Sequence, residues 1–80
     1  LMNLDFVTQL LQIRLLLAPE YTVLAIRNQE GQVREMLEDL ADVEDSPAEY
    51  SRRDFLLHRQ LTILSGNPIF TLILNGFGDL

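Results

Sequence analysis

Two side chains four residues apart, Asp54 and His58, are the pair in this sequence best suited to chemistry. On a helix that spacing puts both on one face, where an imidazole and a carboxylate can meet one cation or one ligand group. A metal needs three or four protein ligands. The chain has a single His and no Cys, so the plainer reading is that Asp54 hydrogen-bonds His58 and fixes its tautomer. Arg14 is the second candidate. It stands among Leu10, Leu11, Ile13, Leu15 and Leu17, and a guanidinium in apolar surroundings requires an anionic partner, which can be an internal carboxylate or an acidic ligand. The third is the corner Ser65-Gly66-Asn67-Pro68, whose amides precede a helix and can receive an anion, although such sequences more often only join helices.

These residues have to be positioned by helices. Residues 3–28 read as one long helix that is apolar on nearly every side, and a helix without a wide polar face must be surrounded by other elements. Pro19 lacks a backbone donor and crowds the preceding turn, so a kink or short break is expected over residues 15–19. Asn28-Gln29-Glu30-Gly31 has the character of a helix stop. A second helix is expected from Gln32 to about Glu44, with Val33, Leu37, Leu40 and Ala41 as its apolar stripe and Met36 and Val43 at the margin. Ser46-Pro47-Ala48-Glu49 is a helix start: a Ser cap, Pro at the first position, and a Glu placed to reach back to the Ser amide. That third helix runs to about Ser65, its stripe formed by Tyr50, Leu57, Leu61 and Leu64, with Asp54, His58 and Ser65 along one edge. Pro68 opens a fourth helix ending near Asn75. The fold class is therefore all-α, an antiparallel bundle of about four helices.

Composition narrows the function. The formal charge is −6 in 80 residues, and nine acids against three arginines between Glu30 and Asp54 carry all of it. Every cation is Arg. Nucleic-acid binding relies on clustered Lys and Arg to displace counterions, so this chain is not expected to touch DNA itself. It holds no Ser-elbow, phosphate-loop, zinc-protease or dinucleotide motif, and an enzyme is not expected. No apolar run approaches the roughly 20 residues of a membrane span. No basic, cleavable leader opens the chain, and a cytoplasmic setting fits. The first and fourth helices both ask to be buried while only two partners are available, which predicts self-association or a missing part of the fold.

At the third and fourth helices the residues resemble a known family. Ser65-Gly66-Asn67-Pro68-Ile69-Phe70 followed by Leu72-Ile73-Leu74-Asn75-Gly76 is similar to the S-G-N-P-I-Y-x-L-I-L-N-G segment of bacterial fatty-acid metabolism regulators of the FadR type, in the GntR superfamily. Leu10-Leu11-Gln12-Ile13-Arg14 resembles the L-L-x-V-R that begins the effector domain of that family, and Asp54 and Arg59 match between. The resemblance implies an effector domain of about seven antiparallel helices, of which this chain would hold the first four, behind a winged-helix DNA-binding domain not contained here. It implies a homodimer whose effector is long-chain acyl-coenzyme A, with no cofactor of its own. The acyl tail would lie against the first, third and fourth helices, with Arg14, Leu11, Phe70 and Asn75 as contact candidates. His58 departs from the pattern, since the fatty-acid regulators carry Phe there. Asp54-Phe55-Leu56-Leu57-His58 instead resembles the D-x-x-x-H of metal-binding GntR effector domains that sense small carboxylates, which supplies an alternative role for Asp54 and His58 as metal ligands.

Overall fold

The computed structural model describes residues 4–41 and 46–75, and in them the chain is helical with three elements: α1 (Leu4–Leu40), α2 (Pro47–Leu64) and α3 (Pro68–Asn75). A straight helix of the 37 residues of α1 would be about 54 Å long, yet the molecule extends only 38 Å along its longest axis. The turn is made at Gln29, whose φ of −145° and ψ of 52° leave the helical region. The stop expected at Asn28–Gly31 is thus a one-residue break, after which helix resumes at once. Counting the two segments of α1 separately gives the four helices expected from the sequence.

Of the kink or short break expected over residues 15–19, the break does not form: Gln29 is the one non-helical position within α1. Leu15 and Pro19 both lie on the exposed side of α1, where water can meet a carbonyl left without its helical donor, and a helix tolerates a proline in that setting. At the start of α2 the Ser46 hydroxyl accepts from the Glu49 amide at 3.1 Å, with Pro47 in the first turn, as expected. The other half of the capping box is replaced: the Glu49 carboxylate turns forward to Arg53 at 3.1 Å and Arg52 at 3.2 Å.

The core sits at one end of the molecule. Tyr21, Ala25, Val33, Leu61, Leu64 and Leu74 are buried together, with Leu17, Ala18, Met36, Leu57, Phe70 and Ile73 packed against them. Two expected stripes are corrected by rotation. In the second segment of α1 the inner positions are Val33, Met36 and Leu40, while Leu37 is half exposed and Ala41 exposed. Val43 lies outside the described residues. In α2 the stripe is Leu57, Leu61 and Leu64, and Tyr50 lies outside it, 70% exposed, in a hollow it shares with Leu40 at the end of α1. The opposite end of α1 is bare: Leu4 is 84% and Leu15 79% exposed.

Candidate functional site

Arg14, Tyr21 and Asn28 are spaced by seven residues, close to two helical turns, and so occupy one line on α1. Each meets α2. Arg14 Nη2 bonds Asp54 Oδ2 at 2.6 Å, the Tyr21 hydroxyl meets His58 Nδ1 at 2.6 Å, and Asn28 Nδ2 donates to the Ser65 carbonyl at 2.8 Å. Both members of each pair advance along the chain together, so residues 4–28 run parallel to α2. Residues 30–40 return alongside them, antiparallel to both, with Leu40 beside Tyr50 and Leu57.

The rungs are electrostatically distinct. Arg14 and Asp54 form an ion pair whose side chains are 26% and 34% exposed, so solvent screens it and its contribution is about 1–2 kcal/mol, between exposed and buried pairs. This is the internal partner that an arginine on this face requires. His58 does not hydrogen-bond Asp54, contrary to the plainer sequence reading: Nε2 and Oδ1 are 3.7 Å apart, beyond hydrogen-bond reach. Asp54 acts on the ring through its charge instead. A carboxylate on the Nε2 side favours a proton there, which leaves Nδ1 to accept from the Tyr21 hydroxyl.

Tyr21 is wholly buried and stacks edge-on against both His58 and Phe70, at centroid distances of 6.0 and 5.8 Å. Burial raises its phenol above the ordinary 10.0, with Arg14 opposing and Asp54 adding to the rise, so the hydroxyl keeps its proton. Burial, assisted by Arg14 and opposed by Asp54, lowers His58 from its ordinary 6.5. Its proton is therefore refused by the folded chain in a pH window just below 6.5, while the unfolded chain accepts it. Stability is then level above that window and falls as the pH drops through it, by at most about 1.4 kcal/mol per pH unit for one proton. Thermal melts between neutral pH and about pH 5 should show this decline, and His58→Phe should remove its upper part.

A shallow groove of about 420 Å³ runs along α1, lined by Leu11, Arg14, Leu15, Ala18 and His58. A smaller hollow of about 200 Å³, lined by Leu40, Tyr50, Arg53, Asp54 and Leu57, adjoins it across the Arg14–Asp54 pair. The structure thus brings Leu11, Arg14 and His58 to one groove with Asp54 at its border. Phe70 is not in that lining; it packs behind Tyr21. Asn75 closes α3, and its side chain lies outside the described residues. Among the described residues no three of His, Cys, Asp and Glu gather as a metal cluster, and the Asp54 carboxylate already faces a guanidinium.

The Ser65–Pro68 corner is closed to an anion. Asn67 N donates to Ser65 Oγ at 3.2 Å and Ile69 N to Asn67 Oδ1 at 3.0 Å, while Ser65 Oγ donates to the Thr62 carbonyl at 2.6 Å. Gly66 takes a φ of 79°, which a side chain would strain. The corner is a helix connection, and it also presents the carbonyl that Asn28 grips. Sequence reading overlooked Tyr21, although its place seven residues after Arg14 and seven before Asn28 was visible.

The family model described as the FadR C-terminal domain matches residues 2–80. Among curated proteins, the fatty acid metabolism regulator protein of Shewanella oneidensis is 39% identical over 74 residues, covering 92% of this chain and 31% of that protein. Those of Erwinia tasmaniensis and Shewanella pealeana are 39% and 40% identical over 76 residues, 95% of this chain and 32% of each relative. The chain thus spans about a third of the length of these relatives. No solved structure matches. The chain belongs to the FadR C-terminal domain family.

Proposed function

We propose that this chain forms part of the ligand-sensing domain of a transcriptional regulator of fatty-acid metabolism, and that its effector is a long-chain acyl-coenzyme A whose binding releases DNA. The observation that carries the reading is the groove on α1. Its wall of Leu11, Leu15 and Ala18 suits an acyl chain, and Arg14 and His58 at its side supply the few polar groups that orient a ligand in an otherwise apolar site. The curated relatives, named as fatty acid metabolism regulators, and the family membership support it. Phe70 and Asn75 enter as candidates for the far wall, Phe70 through its contact with Tyr21.

DNA is contacted through a separate winged-helix domain, the chain itself having six arginines, no lysine and twelve acids. Catalysis forms no part of the proposal, and neither does a membrane span: no helix among the described residues is long and apolar enough to cross one. A cytoplasmic location follows from the regulatory role. Titrating the complete, operator-bound regulator with oleoyl-coenzyme A is expected to release DNA. Release by a metal chelator, with no response to the acyl thioester, would instead favour the metal-dependent carboxylate sensor built on Asp54 and His58.

A second reading, that the chain is an oligomerising helical module, is favoured by Leu4, Leu15, Leu16 and Leu72, which are 68–84% exposed. Apolar surface of that extent is normally covered. A homodimer is the expected assembly of the regulator, and the isolated chain is expected to self-associate at micromolar concentration. Sedimentation as a well-folded monomer would argue against both.

A further inference from the structure

The gap between His58 and Asp54 has a chemistry that neither residue's present partner uses. His58 is anchored by its inner nitrogen, Nδ1, to the buried Tyr21 hydroxyl at 2.6 Å. Its ring also lines the groove with Leu11, Leu15 and Ala18, and Nε2 lies on the side of Asp54, at the border of that groove. Asp54 spends Oδ2 on Arg14 and turns Oδ1 toward Nε2 at 3.7 Å. A donor and an acceptor face each other there at a separation too long for a direct hydrogen bond. One hydroxyl oxygen set beside the pair, rather than between its members, can lie about 2.8 Å from each, accepting from Nε2–H and donating to Oδ1 through bent hydrogen bonds. Neither group is sealed off, since the side chains of His58 and Asp54 are 21% and 34% exposed.

The charges select against the other oxygen groups that an apolar ligand can carry. A carboxylate in the gap would meet the Asp54 oxygen as a like charge, with Arg14 already engaged. A ketone or ester carbonyl can accept from Nε2 but has no proton to offer Oδ1. A hydroxyl satisfies both. The lowered proton affinity of His58 keeps the ring neutral near pH 7, so that Nε2–H serves as an uncharged donor.

We infer that the His58–Asp54 gap is a hydroxyl subsite of the α1 groove, and that this chain prefers acyl ligands bearing a hydroxyl on the chain over the plain hydrocarbon. The inference rests on the acyl-ligand reading above and adds a specificity determinant to it. His58 is the determinant, because a Phe at this position would leave the groove wholly apolar there.

The test compares matched ligands on the full-length regulator: oleoyl- against ricinoleoyl-coenzyme A, and palmitoyl- against β-hydroxypalmitoyl-coenzyme A, read by calorimetry and by operator release. At least one hydroxylated member is expected to bind about tenfold more tightly than its partner, the effect of two well-made hydrogen bonds offset by desolvation of the hydroxyl. His58→Phe is expected to bring that ratio to about one while retaining the plain ligand, and His58→Gln, which keeps a donor, to preserve part of it. Ratios of one or below for both pairs in the unaltered regulator would overturn the subsite and leave the acyl reading standing. A preference that survives in His58→Phe would overturn it too, and would place the hydroxyl contact elsewhere in the domain. If no acyl thioester binds at all, the subsite and the acyl reading fall together. The comparison in the unaltered protein decides the matter even if His58→Phe does not fold.

Discussion

Tyr21→Ala is expected to lower the stability of the chain by about 3–5 kcal/mol, the range for removing a large buried aromatic. Tyr21 is fully buried and stands where α1, α2 and α3 converge, touching His58 by its hydroxyl and Phe70 by its ring. Its loss opens a cavity among Ala25, Leu61 and Leu74, residues that cannot close over it without moving a helix. A domain of this length has about 4–12 kcal/mol in hand at the usual 0.05–0.15 kcal/mol per residue, so the variant should be largely unfolded near its native melting temperature. Tyr21→Phe separates the two roles. It keeps the ring and leaves only His58 Nδ1 without its partner, which should cost about 1 kcal/mol. Chemical denaturation of the three proteins measures both numbers. Equal stability of Tyr21→Ala and Tyr21→Phe would remove Tyr21 from the centre of the core.

Leu15→Asp should do the reverse, sparing the fold of this chain and abolishing the response of the complete regulator. Leu15 is 79% exposed here, and a substitution at such a position changes the stability of the isolated chain by about 0.5 kcal/mol or less. It lines the groove with Leu11, Ala18 and His58. An acyl chain laid there would lose the contact of a leucine and be set against an unpaired carboxylate. Together these cost several kcal/mol, so affinity for oleoyl-coenzyme A in the complete regulator should fall by about a hundredfold or more. Leu15→Met preserves the apolar wall and should bind almost normally. Unchanged binding in Leu15→Asp would move the acyl chain elsewhere in the domain.

The helix ends and the outer polar faces were readable because they depend on neighbours in the chain. Ser46 and Pro47 start α2 and Pro68 starts α3 at the places their chemistry requires. What escaped depends on neighbours in space. The chain resumes its helix directly after Gln29 because residues 30–40 can fold back along α2, burying Val33 and Met36 against Leu57, Leu61 and Leu64, and no local signal reports that return. Glu49 was placed for a capping box, but two arginines one turn later compete for it.

The site divides along the same line. Periodicity put Asp54, His58 and Ser65 on one edge of α2, and the apolar setting of Arg14 required an anion. Which anion could not be read, because Arg14 and Asp54 are 40 positions apart. The seven-residue spacing of Arg14, Tyr21 and Asn28 was the available clue, since a tyrosine on the line of a paired arginine belongs to the helix contact. That geometry also redirects His58 from Asp54 to Tyr21, and it leaves open the gap on which the hydroxyl subsite rests.

The account as a whole stands on the groove of α1 as the seat of the acyl chain. A photoactivatable oleoyl-coenzyme A, with its diazirine on the chain, should cross-link the complete regulator within residues 11–18 of α1, and unlabelled oleoyl-coenzyme A should compete the label away. Specific, competable labelling that lies wholly on other helices and leaves residues 11–18 unmarked would contradict it.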